Sequence, residues 1–143
     1  MRARYALLAD YVNQTNDGKL NILGIFERIL AAQVPAIHGA MHLVIAFETD
    51  PPDRGQAKQV EVRLLEADGR ELLRMATTMQ IPADAPLVAQ IPQVIGLAGL
   101  RFERFGRYAF YVTVNGEQKA EIPFSVELPP APTPPPAAPP PAM

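Results

Sequence analysis

From Gly106 to Leu128 the chain alternates apolar and polar residues on both sides of an Asn115-Gly116 pair. A two-residue period of that length points to a β-hairpin. In the first arm Tyr108, Phe110, Val112 and Val114 share one parity; in the second, Ala120, Ile122, Phe124, Val126 and Leu128 do. Asn and Gly tolerate the positive φ that tight hairpin turns need. A two-residue loop would set Val112 against Lys119 and Phe110 against Glu121, placing charge on the apolar face. A three-residue loop, with Gly116 in a G1 bulge, sets Val112 against Gln118, Phe110 against Ala120 and Tyr108 against Ile122. The bulged loop is therefore the expectation.

The rest of the chain up to residue 128 reads in the same period. Arg4 to Val12 is apolar on both parities, a strand covered on both faces. Asp10 inside it is expected to be a buried carboxylate, latched by amides of the turn-rich 13–19 segment. Lys19 to Ala31 forms the next strand, and Gly24 within it marks a bulge or a close backbone approach. Ala40 to Thr49 follows, then a hairpin from Ala57 to Met79 around Asp68-Gly69. Here a two-residue loop is the one that matches apolar partners: Leu64 with Leu73, Val62 with Met75 and Val60 with Thr77. Pro92, Gly96 and Gly99 make Val88 to Arg101 a strand broken by a bulge, with a short helical turn as the alternative. About eight strands without a sustained 3.6-residue period predict an all-β fold. It would be a single antiparallel β-sandwich, immunoglobulin-like or C2-like, over residues 1–128. Residues 129–143 are nine-fifteenths proline, which predicts a disordered, exposed polyproline II tail of ~45 Å.

Composition narrows the function classes. A formal charge of −2 gives no electrostatic footprint for nucleic acid, so no nucleic-acid partner is expected. With zero cysteines there are no disulfides, thiolate metal sites or cysteine nucleophiles, and a reducing, cytoplasmic location fits. No stretch reaches the ~20 apolar residues of a membrane helix, and Asp10 interrupts the first apolar run too early for a secretory signal, so no membrane partner is expected.

Chemistry-bearing groups are few. Ser125 is the single serine, and His38 and His42 are the two histidines, so no catalytic residues, no enzyme activity and no cofactor are expected. The histidine spacing suits two ligands on a helix, but on a strand it separates them by ~13 Å, which leaves two surface or rim histidines. In an up-and-down sandwich, alternate connectors emerge at one end. That would gather Asp17, Asp50, Asp53 and Asp84 with Asn13, Asn16 and Asn115 into an oxygen-rich site for calcium, unless these residues simply make turns. Asp68, Gly69, Asn115 and Gly116 are expected to be structural turn residues. Arg101, Arg104 and Arg107 interleave with Phe102, Phe105 and Tyr108, a mixture seen in single-strand binders; the acidic chain and Glu103 favour a solvated loop with its aromatic rings turned inward.

The segment ADYVNQTNDGKLNILGIF and the closing GRYAFYVTVNG hairpin resemble a family of short uncharacterised bacterial β-rich proteins, over most of residues 3–128. The resemblance implies a compact β-rich domain of unknown function and no activity or binding residues to carry over. From the catalytic poverty and the long sheet, the expected function is a non-catalytic protein-interaction or assembly module. It would bind a protein partner or itself, with the tail as spacer. The alternative is a small-molecule or calcium-binding sandwich using the Asp/Asn loops.

Overall fold

The computed structural model describes residues 1–87, 89–132 and 134–141. Val88, where one expected strand begins, and Thr133, Ala142 and Met143 of the expected tail lie outside the described residues. Among the described residues the period-two runs form nine strands: β1 (Arg2–Gln14), β2 (Leu20–Phe26), β3 (Arg28–Leu30), β4 (Ala36–Thr49), β5 (Ala57–Glu66), β6 (Glu71–Gln80), β7 (Ala89–Phe102), β8 (Gly106–Val114) and β9 (Glu117–Glu127). One sheet has the order β2-β1-β4-β7 and the other β3-β9-β8-β5-β6. Among the described residues only β3 with β9 is parallel. Alternation sends Leu8, Leu43, Ile45 and Phe47 inward from the first sheet. Val60, Val62, Leu64, Phe110 and Val112 meet them from the second, and each is at most 1% exposed. Phe102, Tyr108, Phe110 and Phe124 pack with ring centroids 5.0 to 5.8 Å apart, a contact class that adds to their area burial.

The expected strand over residues 19–31 is divided. β2 stays in the first sheet, the chain crosses at Glu27, and β3 joins the second sheet beside Ser125–Glu127. This raises the count from eight to nine and breaks the up-and-down order. Residues 89–102 form one continuous strand, neither broken nor helical. β7 is an edge strand, where proline is tolerated.

The two hairpins exchange the loops expected of them. Asn115 (φ 48°) and Gly116 (φ 83°) make a two-residue turn with Val114 opposite Glu117. Lys119 is then extruded as a bulge, after which Val112 meets Ala120, Phe110 meets Ile122 and Tyr108 meets Phe124. In the β5–β6 hairpin the interior pairs Leu64 with Leu73, Val62 with Met75 and Val60 with Thr77 are those expected. Its loop, however, spans Ala67, Asp68 and Gly69: the Glu66 N–H donates to Arg70 O at 2.9 Å, and a register shift lies between Leu64 and Leu65. Burial fixes the interior register, and a bulge one or two residues from the loop lets the turn take its own geometry.

The first sheet curls. β1 pairs with β4 only as far as Ala9 opposite His42, and continues with β2 alone. Beyond that point the β1–β2 tip returns over the outer face, so that Gly18, Lys19, Leu20 and Ile22 line a cleft with Tyr5, Gln90 and Pro92. Ala9, Val44 and Ala46 alternate with core residues and so point outward, yet they are at most 1% exposed; the curl accounts for their burial. Residues 129–132 and 134–141 are exposed and carry no regular secondary structure. Among the described residues no helix is long and apolar enough to cross a membrane.

Candidate functional site

Where the chain changes sheets at Glu27, the two layers part along a seam. Residues 3–7 of β1 pair with β4 on one side only, and residues 117–124 of β9 pair only with β8. Pro123, which has no N–H to leave unpaired, suits such an edge. A groove of about 430 Å³ follows the seam, within the size range of small-molecule sites. Its floor is apolar, with Leu8, Ile122 and Phe124 at most 6% exposed and Phe26 beside them. Glu27, Arg28, Arg107, Glu121 and Ser125 form its walls.

Register sets the polarity of those walls. Tyr108 opposite Phe124 faces the core, so Arg107 opposite Ser125 faces outward. Arg28 approaches Glu127 at 3.6 Å and is 67% exposed. Among the described residues Arg107 forms no ion pair, unlike Arg101 and Arg104 beside it in sequence. Glu121 accepts a hydrogen bond from the Tyr111 hydroxyl at 3.3 Å, and burial, followed by the Glu121 charge, raises the pKa of that phenol. Beyond the groove, the bulge turns Lys119 across the seam, where its Nζ donates to Met1 O at 2.8 Å.

The acidic and Asn residues do not form a calcium site. Asp17 accepts from the Thr15 hydroxyl and pairs with Lys19 at 3.2 Å. The Thr15 and then the Lys19 hydrogen bond lower its pKa. Asp50 and Asp53 lie 2.7 and 3.4 Å from the Met1 ammonium, and Asp53 also pairs with Lys58 at 3.1 Å. Burial pushes the Asp53 pKa up, but the Asp50 N–H, Lys58 and the Met1 ammonium together hold it below the usual carboxylate range. Asp84 is exposed between β6 and β7. Asn115 Oδ1 accepts from the Gln59 N–H at 2.9 Å, tying the β8–β9 turn to β5, and Asp68 Oδ1 accepts from the Arg70 N–H at 3.0 Å within its own turn. Among the described residues no three His, Asp or Glu side chains group to hold a metal. The calcium alternative is corrected accordingly: Asp17, Asp50 and Asp53 are already met by cations and by hydroxyl or backbone donors, and Asp84 stands exposed in another connector.

Asp10 is also corrected, from a buried latch to an exposed side chain. Thr15 closes the 13–19 loop instead, its Oγ1 accepting from the Lys19 N–H at 3.0 Å. Gly24 makes the close approach, at φ 70° against Asp10. His38 packs against Phe26 and His42 against Tyr11, with ring centroids 6.0 and 6.3 Å apart. Both lie in the first sheet, whereas Ser125 lies in the second. Phe102 and Tyr108 turn inward, and Phe105 is 39% exposed at the β7–β8 connection.

Sequence reasoning singled out Arg107 and Ser125 but missed Glu27, Arg28, Glu121 and the groove itself. Pro123 within an alternating run was the available signal, because it marks an open strand edge.

A model described as a family of unknown function (DUF6941) matches residues 4–127, as the resemblance to an uncharacterised family implies. Comparison with curated proteins finds no match. Among solved structures, the chain is similar to the Pseudomonas fluorescens alkylpurine DNA glycosylase AlkC, bound to DNA containing an abasic site analog. The likeness has 16% identity and a TM-score of 0.45, and covers 85% of this chain and 30% of that one. The expectation of a non-catalytic protein-interaction or assembly module with a protein partner or self-association and no nucleic acid finds no support in this likeness, the similar chain being a DNA glycosylase bound to DNA. At that score the likeness assigns this chain neither an activity nor a ligand.

Proposed function

We propose that this chain, which belongs to the family of unknown function DUF6941, binds a small molecule in the groove between β1, β2 and β9. The ligand carries one anionic group on an apolar body. The observation that carries this reading is Arg107, a guanidinium without an ion-pair partner among the described residues, standing on the wall of a groove floored by Leu8, Ile122 and Phe124. Small-molecule sites combine such an apolar lining with a few charged groups that fix orientation. The planar fork of arginine engages a carboxylate or phosphate through two parallel hydrogen bonds. Glu27 and Glu121 on the same walls disfavour a second negative charge near them. In this reading residues 1–128 are the binding unit, 129–143 are a tether, and a chain without cysteines works in the reducing cytoplasm.

Isothermal titration of the full chain with decanoate tests the reading. Saturable one-to-one binding is expected, weakened about ten- to a hundredfold in Arg107→Ala, the scale of a charged hydrogen bond. Arg74→Ala, on the paired outer face of the same second sheet, should bind as the wild type does. Equal affinity in Arg107→Ala overturns the reading. So does saturable binding of a single-stranded oligonucleotide with no response to decanoate, which assigns the groove to nucleic acid.

A further inference from the structure

A second pocket of about 160 Å³ lies between the β5–β6 loop and the β7–β8 connection, lined by Glu66, Asp68, Arg104, Phe105 and Tyr108, and it shares Arg107 with the first groove. Glu66 ends β5 opposite Tyr108. Its side chain is 6% exposed, and its Oε1 has no hydrogen-bond partner among the described residues. A buried carboxylate oxygen needs a donor. The Tyr108 hydroxyl does not supply one, because it donates to Arg104 O at 2.5 Å. The cation paired with it is Arg104, whose Nη1 stands 3.9 Å from Glu66 Oε2 and 3.7 Å from Asp68 Oδ2, outside hydrogen-bond range. That arginine is 64% exposed, so it covers the pocket without being fixed there.

We infer that this pocket binds a small organic cation, a primary ammonium on a short aliphatic stem. The ammonium donates to Glu66 Oε1, Asp68 adds a second negative charge, and the ring of Phe105 covers the stem. Arg104 is the internal cation that the ligand displaces. The space equals about five water volumes at ~30 Å³ each, which suits a four-carbon amine. Arg107 borders both this pocket and the decanoate groove, but the inference rests on a different observation, an unpartnered buried oxygen, and the site selects the opposite charge.

n-Butylammonium titrated into the full-length isotope-labelled protein, followed by amide NMR shifts, tests it. Saturable shifts are expected at Gly69, Phe105 and Gly106. Arg104→Ala should tighten binding about two- to fivefold, the scale of one exposed ion pair. Glu66→Gln should abolish the response, and 1-butanol should give none. Asp68→Asn, an exposed rim residue that tests the site even if Glu66→Gln misfolds, should weaken binding about two- to fivefold. Absence of saturable shifts in both wild type and Arg104→Ala overturns the inference, since water then fills the pocket. Unchanged affinity in Asp68→Asn, or binding in a folded Glu66→Gln, also overturns it.

Discussion

Gly24 lies so close to Asp10 that a Cβ at position 24 would stand 2.6 Å from Asp10 Oδ2 and 3.0 Å from Asp10 Cβ. Gly24 also has φ 70°, a conformation that costs L-residues about 1–2 kcal/mol. The contact sits where β1 leaves β4 and the β1–β2 tip begins to curl over the sheet. Gly24→Ala should therefore destabilise the fold by about 2–3 kcal/mol. Adding Asp10→Gly removes the steric part and leaves the backbone part, so the double variant should recover part of the loss. Chemical denaturation of the single and double variants measures both, and simple additivity of the two losses would refute the steric coupling.

Phe124 is 4% exposed and touches three other aromatic rings, those of Phe102, Tyr108 and Phe110. Phe124→Ala should cost about 3–5 kcal/mol, the range for a large core ring replaced by a cavity. Urea titration of this variant tests whether the second sheet closes on the first through that cluster; a loss below about 1 kcal/mol would speak against it.

Asp53 ties the 50–56 connector to the start of β5 through the Asp50 N–H at 2.8 Å and Lys58 at 3.1 Å. Its pKa is depressed in the fold, so its contribution to stability is full above the unfolded carboxylate value and is lost as pH falls through the folded one. Asp53→Asn should destabilise the protein at pH 7 by about 1–3 kcal/mol. The gap to wild type should narrow below about pH 4. Melting temperatures of the two proteins across that range check the sign, and a gap that widens in acid would be the wrong sign.

Side-chain alternation made the sandwich legible from sequence: Leu64 with Leu73 and Val62 with Met75 were paired correctly because both partners had to face inward. The turn types were not legible. A single extruded residue, Lys119 in β9, restores apolar pairing whatever the loop does, so loop length and interior register are decoupled. The sheet change at Glu27 was hidden as well. Its cause is the pairing of Arg28–Leu30 with Ser125–Glu127, about a hundred positions away in sequence, and local pattern carries no trace of that. The groove shared the same fate, since residues 6–8, 25–28 and 121–125 meet only after both sheets have formed. The calcium hypothesis failed for a related reason: it assumed an up-and-down order that the β2–β3 crossing breaks.

The most direct test of the ligand groove is an amide NMR titration of the intact chain with decanoate. Saturable shifts should cluster at Phe26, Arg28, Arg107, Ile122 and Ser125, and should shrink in Arg107→Ala while the rest of the spectrum stays unchanged. Shifts that never saturate, or that saturate at residues away from the β1, β2 and β9 seam, would contradict the assignment of this groove as the binding site.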